Sequence, residues 1–156
     1  MDMAKAQLLI GDVGALLGLP DLAFDADGDC ALTIDDTLQV DISFLDEEDA
    51  LLLASPLGSP ADPLPADLAE AMLDANFFWR GTGGATLGLD RETRMAVLVE
   101  TVPLAGQHPA ALRDRLSDFV TVARDWTDRV AGRTPIAASD VTTVTEEPAG
   151  DVILRL

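Results

Sequence analysis

Residues 75–90, ANFFWRGTGGATLGLD, constrain the fold more tightly than any other stretch of the chain. A helical pattern runs out into three consecutive aromatics, a glycine-rich turn follows, and a strand of small residues begins. Glycines at 81, 83, 84 and 88 strip side chains from this region, which lets another backbone or helix come close. The helix ahead of it starts at Pro65, a residue suited to a first helical turn, and is predicted to run to about Trp79. Leu68, Met72, Ala75 and Trp79 share one side of it; Ala69, Leu73, Asn76 and Phe77 share the adjoining one. Apolar residues wrap more than half of the surface. Such a helix is expected to be sandwiched, in a core or between two copies of the chain.

The rest of the chain fits around this centre. Asp2 caps a first helix in which Ala6, Leu9, Ile10, Val13, Leu16 and Leu17 recur at three- and four-residue spacing, widened by Leu8 and Leu19; Gly18 and Pro20 stop it. From Leu22 the period changes to two. Asp27 and Gly28 suit a tight hairpin, and Cys30, Leu32 and Ile34 alternate with Ala31, Thr33 and Asp35. After a turn at Asp35 and Asp36, Leu38, Val40, Ile42 and Phe44 alternate with Gln39, Asp41 and Ser43. The acidic turn at 46–49 leads to a third strand over 50–57, and prolines at 56, 60, 63 and 65 mark the stretch from Ser55 onward as a loop. Two more strands, 82–89 and 94–102, are joined by a turn at 90–93. A last helix buries Leu112, Leu116, Phe119, Val120, Ala123 and Val130, with Asp125 and Arg129 at the favourable four-residue spacing. The reading is an α+β fold of order α-β-β-β-α-β-β-α, an antiparallel sheet with helices packed on it, over residues 1–131. Residues 132–156 read as a flexible polar tail, docked by Val152, Ile153 and Leu154 if at all.

At 156 residues the chain suits one domain and can bury a core without staples. Its formal charge of −18 is uneven. Residues 1–80 carry 17 acids against Lys5 and Arg80, net −15, whereas 81–131 are net −1 and the remainder net −2. A front half of this sign repels nucleic acid and anionic lipid and attracts basic polypeptide; it also keeps an apolar-rich protein soluble. No stretch reaches the roughly 20 apolar residues of a membrane helix, and the N-terminus lacks the pattern of a signal peptide. With a single cysteine no internal disulfide forms.

Chemistry has little to work with. Asp25, Asp27 and Asp29 sit at the first, third and fifth places of a calcium loop, but Cys30 replaces the glycine and Asp36 the terminal glutamate, so a hairpin turn is the better reading. Gly81 and Gly83 begin a dinucleotide-like pattern that Thr86 breaks, ahead of a strand rather than a helix. Asp35 and Asp36 are adjacent on extended chain and point apart. Cys30 has no neighbouring base, the sole histidine being His108. No catalytic residue, metal ligand or cofactor is expected.

Four segments together resemble the CesT-type (class I) family of type III secretion chaperones: FDADGDCALTIDD (24–36), LLLASPLG (51–58), ANFFWRGTGGATLGLD (75–90) and LRDRLSDFVTVARDW (112–126). In order and at family-like spacing they cover roughly residues 3–130. The resemblance implies a small acidic homodimer of the bacterial cytoplasm without enzymatic activity. It implies binding of the extended N-terminal segment of a secreted effector, which wraps the dimer, without ATP. A segment of about 50 residues spans up to roughly 165–180 Å, enough to cover two protomers while adding a strand to an open edge. Carried over by position, the dimer seam takes Leu68, Met72, Phe77 and Phe78 with Thr86, Leu87 and Gly88. The effector grooves take Leu9, Val13 and Leu16 with Leu38, Val40, Ile42 and Phe44. The charge asymmetry supports a second reading, an acidic inhibitor or immunity-type protein that binds a basic enzyme.

Overall fold

The computed structural model describes residues 3–134; the expected tail and its docking residues lie outside the described residues. The element order is α1 (Met3–Leu17), β1 (Asp29–Ile34), β2 (Leu38–Leu45), β3 (Ala50–Gly58), α2 (Ala66–Asn76), β4 (Thr86–Leu89), β5 (Ala96–Pro103) and α3 (Pro109–Val130), the order expected from the sequence. The five strands form one antiparallel sheet with spatial order β1-β2-β3-β5-β4, which leaves β1 and β4 at the edges.

Alternation builds the core. Leu32, Val40, Leu98 and Leu87 line up across the sheet on one face, as do Ile42 and Leu53. Against that face pack Ala6, Leu9, Ile10 and Val13 of α1 and Leu112, Leu116, Phe119, Ala123, Trp126 and Val130 of α3, all buried. Burying a large aliphatic side chain of this kind stabilises by about 1.5–3 kcal/mol. The opposite face carries Leu52, Ala54, Val97 and Val99, half-exposed, within a polar border of Asp29, Gln39 and Thr101.

The ends of the elements follow local chemistry. α1 closes in a Schellman motif: Gly18 has φ +74°, its N–H bonds Ala15 O, and Leu19 N–H bonds Gly14 O at 2.7 Å. The β1–β2 turn places both Asp35 and Asp36 at positive φ. His108 caps α3, its Nδ1 accepting from Ala111 N–H at 3.2 Å.

Three boundaries differ from expectation. β3 runs to Gly58, in keeping with the strand expected over 50–57, and the loop expected from Ser55 begins only after it; Pro56 is tolerated there because pairing with β2 ends at Ala54 and the register with β5 shifts between Pro56 and Gly58. α2 stops at Asn76, and Phe77–Trp79 form a 3-10 turn with Phe78 and Trp79 at φ +51° and +53°. β4 begins at Thr86, since Ala85 N–H bonds Thr82 O in a tight turn with Gly83 and Gly84 at positive φ. In the last helix Trp126 is buried and Val120 half-exposed, the reverse of giving Val120 a place in the stripe without Trp126.

Candidate functional site: an edge furrow and an aromatic knuckle

The turn that leads into β1, which no strand precedes and which is therefore not the expected hairpin, is built by a carboxylate. Asp25 Oδ1 accepts from the N–H groups of Asp27 and Asp29 at 2.9 and 3.0 Å, and these bonds hold the Asp25 carboxyl below the usual range. An acid so engaged makes a turn, as expected, and among the described residues no group of three His, Cys, Asp or Glu is placed to hold a metal ion. Burial, with Asp25 and Asp29 nearby, pushes the Cys30 thiol up to about 11, so it stays protonated and a poor nucleophile.

Among the described residues the β1 edge is capped at Asp29, whose C=O accepts from Asp25 N–H at 2.8 Å, and is open beyond it. Gly28 C=O accepts from Phe44 N–H and Ile34 C=O from Thr37 N–H, so the even-numbered residues face β2. Ala31 and Thr33, both exposed, therefore turn their backbone groups outward. Beside this edge runs a furrow of about 470 Å³ lined by Leu17, Leu19, Leu32, Ile34, Leu116 and Val120. A second hollow of about 280 Å³ continues it between residues 18–22 and Ala31, Leu32 and Thr33. The segment after α1 forms the wall, and it folds back so closely that a Cβ on Gly14 would stand 2.5 Å from Leu19 O. Arg124 of α3 pairs with Asp35 at the end of β1 and ties the furrow's floor to its rim.

β4, the other edge, is capped at its middle. The side-chain amide of Asn76 accepts from Leu87 N–H at 2.9 Å and donates to Leu87 C=O at 3.0 Å, which satisfies the outward groups of that residue. Beyond it, Phe77, Phe78 and Trp79 stand 58%, 76% and 55% exposed, with Leu73 at 72%. The Phe77 and Phe78 rings meet edge to face at 4.5 Å, and Arg80 lies over Phe77. The glycines produce this knuckle. Gly81 packs so tightly on the end of α2 that a Cβ there would fall 2.7 Å from Ala75 Cβ, and Trp126 Nε1 bonds Gly81 O at 3.1 Å. With the chain reversing here, the three aromatics have nowhere to go but out.

The residues expected at the grooves separate on this frame. Leu9, Val13, Leu38, Val40, Ile42 and Phe44 are buried between sheet and helices, so in the free chain they support the furrow from beneath rather than line it. Leu16 alone of the set is exposed. Of the residues expected at a dimer seam, Phe77, Phe78 and Thr86 are exposed and Gly88 half-exposed. Leu68, Met72 and Leu87 are interior, filling the space between α2 and the sheet. Sequence reasoning did not single out Leu17, Leu19 and Ile34 as furrow residues, because they belong to the same apolar stripes as the core. Nor did it single out Asn76, whose role depends on β4 lying beside it.

No helix among the described residues is long and apolar enough to cross a membrane. No curated protein matches the chain in sequence. Among solved structures the fold is similar to the ExsC–ExsE complex, with TM-score 0.70 and 23% identity over 83% of this chain and 97% of that one. It is similar to the HopA1–SchA chaperone–effector complex, with TM-score 0.68 and 22% identity over 82% and 98% of the two chains. A third likeness is to the Yersinia pestis type III secretion chaperone SycH in complex with a fragment of YscM2, with TM-score 0.62 and 21% identity over 77% and 98%. The family model described as the Tir chaperone protein (CesT) family matches residues 9–127, most of the chain and nearly all of the sheet-and-helix unit built above. The chain belongs to the CesT family of type III secretion chaperones.

Proposed function

We infer that this chaperone binds the extended N-terminal segment of a secreted effector, holding it soluble and secretion-competent in the bacterial cytoplasm, and that it does so as a homodimer without catalysis. The observation that carries the reading is the open β1 edge beside an apolar furrow. An extended segment adds main-chain bonds at Ala31 and Thr33 and drops alternate apolar side chains beside Leu17, Leu19 and Ile34. Folded proteins seldom offer both features at their surface, whereas an unfolded segment offers them everywhere. Solved likenesses that are chaperone–effector complexes agree with this.

The homodimer rests on the knuckle. Four large apolar side chains in one patch, Leu73, Phe77, Phe78 and Trp79, are what a pairing surface needs at its centre, since aromatic anchors carry most interface energy. Thr86 and Gly88, beside the closed edge, fall at its margin. The acidic character of residues 1–80 steers basic client segments toward the furrow and speeds encounter.

The test is co-expression with proteins of the secreting cell, capture of the chaperone, and limited proteolysis of what travels with it. The expected result is a protected, nonglobular N-terminal fragment that stays bound at high salt. Capture of an intact folded basic protein released at modest salt overturns the reading in favour of an acidic inhibitor.

A further inference from the structure

We propose that the knuckle and the hollow beside it form one self-complementary surface, on which Trp79 of each chain enters the hollow of a second copy. The inference rests on the homodimer reading above and deepens it by naming what each chain offers the other.

The hollow lies between the end of α2 and α3 and holds about 280 Å³. Small-ligand pockets run to roughly 300–1,000 Å³, so a hollow of this size suits a single large side chain. Gly81 and Trp126 line it and are joined by the bond from Trp126 Nε1 to Gly81 O. Its rim carries two ion pairs, Asp74 with Arg80 and Asp125 with Arg129. Arg129 lies over the Trp126 ring and Arg80 over the Phe77 ring, so Arg80 belongs to the hollow and to the knuckle at once.

A rim of guanidinium and carboxylate groups beside an indole is neither purely apolar nor purely ionic. The side chain that matches it has an aromatic face for the cations and an N–H donor for the acids, which is the chemistry of Trp. The knuckle offers one. Phe77 and Phe78 pack edge to face on each other, whereas the exposed indole of Trp79 has no ring or hydrogen-bond partner among the described residues. A bulky residue seldom takes φ +53°, the value at Trp79, and strain of this kind collects where a side chain is held ready for use.

Charge selects the occupant. The chain is strongly acidic, and two copies repel unless they meet where charge cancels. At the hollow two acids are matched by two guanidiniums, so this surface neither repels a second copy nor draws in a basic client. Knob and hollow lie side by side on one chain, and a two-fold axis between them fills both hollows together.

The experiment is a complementation with the full chain. Trp79→Ala removes the knob and keeps the hollow, whereas Ala71→Phe, on the hollow's wall, fills the hollow and keeps the knob. In sedimentation each variant alone is expected to self-associate at least roughly tenfold more weakly than the native chain. An equal mixture is expected to form a heterodimer more tightly than either variant pairs with itself, because one Trp79 then meets one open hollow. Variants that had merely lost their fold would not regain pairing on mixing. Should Ala71→Phe lower the denaturant midpoint, Asp125→Arg on the exposed rim takes its place. Native-strength pairing of Trp79→Ala, or no gain on mixing, overturns the proposal and leaves the homodimer reading standing. A native chain that stays monomeric at every concentration overturns both.

Discussion

The two edges of the sheet are chemically similar strands with opposite fates. β1 has six residues and β4 four, both mix small and apolar side chains, and each pairs on one side only. At β4, Asn76 from the end of α2 meets the outward N–H and C=O of Leu87 with its own amide, so no further strand can use them. At β1, Asp25 caps Asp29 in the same way, its Oδ1 accepting from Asp29 N–H at 3.0 Å and its N–H donating to Asp29 C=O at 2.8 Å, but Ala31 and Thr33 beyond it keep their outward groups open, and the neighbouring surface is an apolar furrow rather than a helix end. Each edge thus carries a cap on one residue, and what differs is its place: at the middle of the four-residue β4, but at the first residue of the six-residue β1, where Ala31 and Thr33 stay open. The apolar surface next to each edge differs to match: a concave slot beside the open edge, suited to alternate side chains of an extended guest, and a convex cluster of aromatics beside the closed one, suited to a rigid partner surface.

The largest expected effect tests the closed side. Replacing Phe77 and Phe78 together by Ser removes two exposed rings, each worth roughly 2 kcal/mol if they anchor pairing, and should weaken self-association by several hundredfold in sedimentation experiments without unfolding the chain. Unchanged association would show that the knuckle serves something else. Asn76→Ala leaves the N–H and C=O of Leu87 without their partner and should cost about 1–3 kcal/mol of stability in denaturant titration. The same variant opens β4, so a client segment should then protect Leu87 as well as Ala31 from exchange; protection confined to β1 would mean that α2 itself, and not its amide, shuts that border. On the open side, Leu17→Asp with Leu19→Asp should leave stability nearly unchanged, since both side chains are more than a third exposed, while client capture falls by roughly tenfold or more.

The smallest effect compares ion pairs on the two sides. Arg124–Asp35, by the open edge, is solvent-exposed, whereas Glu100 on β5 is buried and paired with Arg115, for whose guanidinium the missing side chain of Gly84 leaves room. Burial raises the Glu100 carboxyl from its ordinary 4.5 despite the Arg115 bonds that oppose the shift. The folded state thus holds this proton more tightly than the unfolded one, and the contribution falls as pH rises from the unfolded value through the raised folded one. Glu100→Gln should flatten the decline of stability with pH in the window just above 4.5. Parallel curves for native protein and Glu100→Gln would remove Glu100 as the source.

Much of this is legible from residue order. The switch from a three-to-four spacing before Gly18 to a spacing of two after Leu22 marks α1 and the hairpins, and the run from Leu112 to Val130 marks α3. The site is less so. Val13 and Leu17 sit one turn apart on the same helical stripe, yet Val13 is fully buried and Leu17 is 37% exposed. Periodicity shows which residues share a face, and only the position of β1 and α3 shows where along that face the cover ends. The overlap at Pro56 between the strand read over 50–57 and the loop read from Ser55 is settled in the same way, because a proline's tolerance in a strand depends on where the neighbouring strand stops.

The sequence by itself determined the order and type of the elements, the inward-facing residues of each, the turn chemistry at Asp25, Asp35 and Gly18, and the family, all of which depend on contacts local in the chain or on apolar period. The tertiary structure decided what is open and what is shut. Asn76 reaches Leu87 across eleven positions and Arg124 reaches Asp35 across 89, and such meetings are set by how the packed layers bring distant segments together, which no local pattern encodes.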